Sequence, residues 1–155
     1  MSFKKNVLLG LLLVMTPTCV FHYPTKEPYG PAIILYKGNN ATQGIVCNLA
    51  VPPLQTGHFR TIGTYNFTGG SSPCPNDEIR SLVLKQVPQG VRIFIWDDSN
   101  CSLDDSGTRI VVKRYLTRKV IGTFERSFSD ADVRVTVLKG GNLDGKVFCM
   151  GTARF

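Results

Sequence analysis

Short runs of apolar, β-branched and aromatic residues recur along the chain from Ala32 onward, separated by turn residues. Runs of this kind, bounded by Gly, Pro, Asn and Asp, predict β-strands. Beyond the first residues no stretch keeps apolar residues at i, i+3, i+4 and i+7 behind a capping residue, so helix should be minor. We predict eight strands and a ninth, short strand at an edge, over residues 32–36, 45–51, 61–67, 78–84, 91–96, 108–116, 120–128, 133–138 and 146–150.

The order of these runs is repeated along the chain. In the first copy, residues 61–67 are followed by an acidic turn, an Ile-Arg pair and the apolar run that ends at Leu84. In the second copy, residues 120–128 are followed by an acidic turn and the run over 133–138, which opens with a Val-Arg pair. A four-strand unit has an apolar face that it cannot bury alone, so two copies packed face to face bury what each exposes. We predict one domain over 32–155, with repeats at about 32–86 and 91–148.

The core of that domain should contain the large apolar residues of both repeats. Alternation selects them only loosely, because some runs are apolar on both faces. The candidates are Ile34, Tyr36, Val46, Tyr65, Ile79, Leu82, Phe94, Trp96, Ile110, Val112, Phe124 and Val133.

The first eighteen residues have the layout of a secretory signal peptide, with two lysines, an apolar run too short to span a bilayer, and then small and polar residues. Residues 19–31 read as a linker. We therefore predict a secreted or periplasmic protein with no transmembrane span, and a lipid anchor on Cys19 is the less favoured alternative. The formal charge of +7 falls by two, to +5, when the leader is removed. This mildly basic charge points to another protein or an anionic cell surface as partner.

Two features carry a resemblance to a known family. Residues 76–81, Asn-Asp-Glu-Ile-Arg-Ser, are similar to an acidic-acidic-x-x-Ser/Thr-Ser motif, and Tyr36 and Trp96 end the first strand of each repeat. Over about residues 32–148 the chain resembles a βγ-crystallin domain. The resemblance implies an all-β, two-sheet Greek key sandwich built from an internal duplication, with no enzymatic activity. An immunoglobulin-like sandwich is the alternative fold, because it is built from short strands of the same kind.

The resemblance also implies paired calcium sites in the acidic turns, because calcium is bound by six to eight oxygen ligands. Arg80 and Arg134 each bring a cation beside such a turn, so we expect calcium to bind weakly at most and no other cofactor to be needed. A second acidic cluster, made of Asp97 and Asp98 together with Asp104 and Asp105, is the fallback calcium site. The candidate ligands are Asn76, Asp77, Ser81, Asp97, Asp98, Asp130 and Asp132.

Four cysteines remain after Cys19, and they allow two disulfides in three connectivities. None forms a C-x-x-C pair, which argues against a zinc ribbon. Because a Greek key unit brings its own strands together, we predict pairing within each repeat. The expected bridges are Cys47 to Cys74 and Cys101 to Cys149.

The remaining chemistry is sparse. The basic run over residues 113–119 is interpreted as protection of a sheet edge, and nucleic acid is not favoured because Tyr115 is its only aromatic residue. The two histidines, His22 and His58, lie in segments that read as loops, and no catalytic motif is present. The function that follows is a secreted, non-enzymatic structural or binding module. The alternative is a secreted effector on the same fold, either an antimicrobial toxin or a protease inhibitor that uses residues 69–75.

Overall fold

The computed structural model describes residues 26–51, 60–68, 72, 74–75, 78–102, 106–140 and 142–154, which consist mainly of β-strands and turns. The 3-10 turn at Asn39–Ala41 is the helical element within these ranges. The strands are β1 Ala32–Gly38, β2 Thr42–Ala50, β3 Arg60–Asn66, β4 Ser81–Val87, β5 Val91–Trp96, β6 Gly107–Val112, β7 Leu116–Ile121, β8 Phe128–Ser129, β9 Val133–Lys139 and β10 Cys149–Arg154.

The strands form two antiparallel sheets. Sheet A has the order β2-β1-β4-β7, and sheet B has the order β3-β10-β5-β6-β9-β8. Neighbours in the sheets are not always neighbours in sequence, as in a Greek key. The two-sheet Greek key sandwich predicted from the sequence is confirmed.

The two halves of the sandwich have the same plan. Strands β1, β2 and β4 of the first unit are completed by β7 of the second, while β5, β6 and β10 of the second are completed by β3 of the first. Tyr36 in β1 pairs with Ser81, the first residue of β4, and Trp96 in β5 pairs with Cys149, the first residue of β10. Each unit therefore lends one strand to the other, which ties the two sheets into one domain.

This plan corrects the predicted second repeat. Residues 133–138 were expected to be its fourth strand and 146–150 an edge strand, but β10 lies in the middle of sheet B, between β3 and β5. Strand β9 instead pairs with β6 and with the two-residue β8, extending the sheet. Both segments are apolar enough for a central strand, so only the pairing of distant strands decides between them. The second unit accordingly runs to Arg154.

The Ile-Gly-Thr-aromatic sequence that residues 62–65 share with residues 121–124 does not occupy equivalent places either. Tyr65 pairs with Met150, the second residue of β10, and Ile121 pairs with Leu82, the second residue of β4. Tyr65 is thus equivalent to Ile121, three residues before the Phe124 that the sequence repeat selects. The predicted strand over 120–128 therefore begins too late, because β7 covers 116–121. The predicted strand before it extends too far, because the turn residues 113–115 end β6 early.

The main core lies between the sheets and contains seven of the predicted residues: Val46, Ile79, Leu82, Ile110, Val112, Phe124 and Val133. Tyr65 packs against it while half-buried. Ile34 and Tyr36 are buried in a second cluster with Ala32 and Val83, on the outer face of sheet A. Phe94 and Trp96 stack on each other at 5.6 Å, and Phe94 is only half-buried. Alternation with the core residues Ile93 and Ile95 places this pair on the outer face of sheet B.

Candidate functional site

The buried Ser81 side chain holds the turn between β1 and β2. Its hydroxyl donates a hydrogen bond to the Gly38 carbonyl at 2.6 Å and accepts one from the Ala41 amide at 2.9 Å. Ala41 and its neighbour Asn40 both have positive φ, near 57°, which ordinary residues adopt only when the surroundings hold them. Ser81, a predicted calcium ligand, is therefore engaged in fixing this turn.

A disulfide makes the equivalent connection in the second unit. Cys149 is the structural counterpart of Ser81, and its partner Cys101, with φ 58°, lies sixty residues after Ala41. The second bridge joins Cys47 to Cys74, and the Cα–Cα separations are 5.4 Å for Cys101–Cys149 and 5.5 Å for Cys47–Cys74. The two bridges are those of the intra-repeat hypothesis. Strand and turn are thus held by hydrogen bonds in one unit and by a covalent bond in the other.

The acidic turn after β8 is paired with the basic run around β7. The Lys119 ammonium donates to Asp130 at 2.6 Å and to Asp132 at 2.9 Å, and Arg114 forms an ion pair with Asp132. Asp130 also accepts hydrogen bonds from the amides of Asp132 and Val133, both at 2.8 Å. The carboxylate oxygens proposed as calcium ligands already have cationic and amide donors.

These contacts shift the titration of the cluster. Partial burial acts to raise the pKa of Asp130, but the hydrogen bonds from Lys119 and from the amides of Val133 and Asp132 lower it to about 2. The hydrogen bonds from Lys119 and Arg114 also lower the pKa of Asp132, and the two carboxylates raise the pKa of Lys119. The cluster therefore stays ionised at neutral pH.

The other predicted ligands are dispersed. Asp98 accepts hydrogen bonds from the amides of Asn100 at 3.1 Å and Ser102 at 2.9 Å, which lower its pKa, and the Asp97 amide donates a hydrogen bond to the Ser106 carbonyl. Asn76 and Asp77 lie outside the described residues, as do Asp104, Asp105, the leader, Cys19, both histidines and most of the proposed inhibitor loop. Among the residues the structure describes, no three His, Cys, Asp or Glu side chains are grouped as a metal site would require.

The structural counterpart of residues 78–81 is not the segment at 132–135 but residues 146–149. The amide of Arg80 donates to the Tyr36 carbonyl at 3.0 Å, and the amide of Phe148 donates to the Trp96 carbonyl at the same distance. Arg80 also forms an ion pair with Asp144 at 2.8 Å, which joins the two equivalent turns. An arginine therefore supplies the positive charge beside this carboxylate.

The segment over residues 26–31 runs beside the outer face of sheet A, and we call it the strap. Glu27 accepts hydrogen bonds from Tyr36 at 2.9 Å and Arg118 at 3.0 Å, and Lys85 donates to the Pro28 carbonyl at 2.6 Å. The hydrogen bond from Arg118 is the main cause of a lowered Glu27 pKa, and it outweighs the effect of burial. Because these partners lie on β1, β4 and β7, one carboxylate and one carbonyl fasten the strap to three strands.

A cleft of about 920 Å³ lies between the strap and the β1–β2 hairpin. Its apolar part comes from Tyr36, Ile45, Val46 and the largely exposed Tyr29. Around these lie three lysines and two glutamates, which leave an excess of one positive charge: Lys26, Lys37, Lys85, Glu27 and Glu78.

No protein-family model matches the chain, and no curated protein matches it. The crystal structure of a double mutant of a betagamma-crystallin domain from Clostridium beijerinckii is similar to this chain, with 18% identity over 78% of this chain and 94% of that chain, and a TM-score of 0.38. In this chain two Greek key units share their strands between the two sheets. The fold is βγ-crystallin-like.

Sequence reasoning missed the cleft of this βγ-crystallin-like domain. Residues 26–31 read as a linker because they contain two prolines and no periodicity, and such composition does not indicate where a segment will dock. The exposed aromatic Tyr29 next to Pro28 was the only local signal.

The described part of the chain contains no helix long and apolar enough to cross a membrane.

Proposed function

We propose that this protein is a secreted, non-enzymatic βγ-crystallin-like binding module, and that the cleft beneath the strap is its ligand site. The observation that carries the proposal is the cleft itself, because a concave, mainly apolar cavity of several hundred Å³ with a few polar groups is what small-molecule sites have in common. The two disulfides support export, since such bonds persist in oxidising compartments.

The chemistry of the cleft selects the ligand class. Tyr29, Tyr36 and Ile45 offer apolar and aromatic surface, so the ligand has an apolar body. Lys37 is already paired with Glu78 at 3.2 Å, and Lys85 is held by Glu27 and Pro28, whereas the partner of Lys26 within the described part of the chain is the ring and hydroxyl of Tyr29. The excess positive charge favours a single anionic group on the ligand. Calcium has no part in this function.

The proposal is tested with 1-anilinonaphthalene-8-sulfonate, a fluorescent probe that has an apolar body and one sulfonate. We expect saturable binding of one probe per chain to the native protein. Ile45→Glu places a carboxylate on the apolar side of the cleft and should weaken binding by at least about tenfold, equivalent to about 1.4 kcal/mol.

The matched control is Val120→Glu, which adds the same charge to the same outer cluster but outside the cleft. It should bind the probe as the native protein does. Melting curves of all three proteins establish that they are folded, because a loosened core also binds this probe. Equal binding by Ile45→Glu and the native protein, or equal loss in both variants, would contradict the proposed site.

A further inference from the structure

The outer face of sheet B carries arginines on three adjacent strands. Burial alternates along these strands, with Ile93, Ile110 and Val135 in the core, so the residues between them face outward. Arg92 on β5 and Arg134 on β9 both pair with Val111 of β6, and Arg109 of β6 pairs with Thr136 of β9. We call Arg92, Arg109 and Arg134 the arginine face.

Two of these arginines lack an acidic neighbour. Neither Arg109 nor Arg134 forms an ion pair with any residue in the described ranges, and the Arg109 Nε atom is buried without a hydrogen-bond acceptor. The nearby indole Nε1 of Trp96, itself nine-tenths buried, also has no acceptor. The outward positions of β5, β6, β9 and β10 contain no Asp or Glu. Arg109 and Arg134 therefore place positive charge on this face without a carboxylate partner among the described residues, whereas the two buried nitrogens lie out of reach of a surface ligand.

The contrast with sheet A shows that this is not a general property of the surface. There the exposed cations have carboxylates within reach: Lys37 with Glu78 at 3.2 Å and Arg118 with Glu27 at 3.0 Å. Diagonal neighbours on paired strands lie about 7–8 Å apart, and like charges at close range on one face are destabilising. Arg109 and Arg134 have this relationship, and an anion that bridges them would relieve the repulsion.

We propose that the arginine face binds an acidic polysaccharide of a cell surface, through carboxylate or sulfate groups spaced along an extended chain. Guanidinium groups recognise such planar or multi-oxygen anions by paired N–H donors. The sheet offers cations at several positions across its strands rather than in one pocket. The proposal rests on export, as does the binding function above, but it concerns the opposite sheet from the cleft.

Two other polyanions fit the face less well. Single-stranded nucleic acid is bound by stacking bases on free aromatic faces. Here Phe94 and Trp96 stack on each other with an interplanar angle of 8°, and Trp96 is almost fully buried. A membrane surface requires apolar side chains that enter the lipid as well as charge. The residue between Arg92 and Arg134 is the half-buried Val111, and Leu138 near the end of β9, 38% exposed, is a single apolar side chain rather than a group of anchors.

The test measures binding of the full mature chain to heparin and to polygalacturonate, with neutral dextran as baseline. Arg109→Gln combined with Arg134→Gln should weaken binding to both acidic polymers by at least about tenfold and flatten the dependence of log K on log salt concentration. The control, Lys37→Gln combined with Arg118→Gln, removes the same charge from sheet A and should retain binding within about twofold. If the first variant melts early, Arg134→Gln alone is compared with Arg118→Gln alone, since both side chains are exposed.

Equal losses in the two double variants, or no loss in either, would overturn the proposal, because net charge rather than the arginine face would then decide. Vesicles of phosphatidylglycerol and phosphatidylcholine, and a single-stranded DNA oligomer, form two further arms. Tighter binding to either, with the same dependence on Arg109 and Arg134, would assign the face to that polyanion and overturn the polysaccharide. Binding of anilinonaphthalene sulfonate in the cleft is measured on the arginine-face variants, whose substituted residues do not line the cleft, so failure of one site is seen separately from failure of the other.

Discussion

The two hydrogen bonds by which Ser81 holds the turn between β1 and β2 lead to the sharpest prediction. Ser81→Ala removes the acceptor of the Ala41 amide and the donor to the Gly38 carbonyl, at a side chain that is 0% exposed. A buried polar group left without a partner costs about 1–3 kcal/mol, so we expect a loss of about 2–4 kcal/mol in the free energy of unfolding. For a domain of this size, that lowers Tm by about 6–15 °C.

The assay is thermal and urea unfolding of both proteins, with calcium and again with EDTA. If Ser81 acts through the hairpin, the loss is the same in both buffers. A loss that appears only with calcium, or a Tm within about 2 °C of the native value in both, would refute the reasoning. The first outcome would restore Ser81 as a calcium ligand.

The disulfide of the second unit supplies a rescue for the same experiment. Because Cys101 and Cys149 occupy the places equivalent to Ala41 and Ser81, with a Cα–Cα separation of 5.4 Å, Ala41→Cys combined with Ser81→Cys should form a third bridge. Thiol alkylation without reductant should label no additional cysteine, and Tm should exceed that of Ser81→Ala. Two reactive thiols in the folded double variant would argue against the structural equivalence of the two turns.

Three further predictions concern disulfides, acid and calcium. Reduction of the disulfides should lower Tm by many degrees. The bridges span 27 and 48 residues, and each stabilises the fold by about 3.5–4 kcal/mol because it restricts the unfolded chain. Unchanged melting in reductant would contradict this. Since the folded pKa of Asp130 is lowered from 3.8 to about 2, its stabilisation is present above pH 4 and is lost as pH falls toward 2. With its side chain 38% exposed, Asp130→Asn should cost about 1 kcal/mol at pH 7 and almost nothing at pH 2 in urea titrations. Millimolar calcium should raise stability by less than about 1 kcal/mol, against about 2.7 kcal/mol for a site at a hundred times its Kd, and a large rise reversed by EDTA would show that calcium binds.

Local patterns along the chain located most of the strands, although they set the bounds of β7 and β10 several residues away from those observed. The sequence predicts β5 with its observed bounds, 91–96, and the sixty-residue spacing of Tyr36 and Trp96 marks equivalent places in the two units. Alternation and turn residues are properties of adjacent positions in the sequence, so they can be recognised without knowledge of which strands pair in the fold. The even cysteine count likewise limited the disulfides to three connectivities, and the repeat favoured the two bridges observed.

Contacts between distant residues decided the rest. Whether β9 or β10 becomes the fourth strand of the second unit depends on which segment fits between β3 and β5, and both segments contain enough apolar residues for a central strand. Similarly, Lys119 and Asp132 are read from the sequence as a basic run and an acidic turn, but in the fold they are partners at 2.9 Å. The cleft is formed by the strap, β1, β2 and residues near β4, which the chain brings together from up to about sixty positions apart. Pairings of this kind depend on burial and charge across the sandwich, and only the tertiary structure contains them.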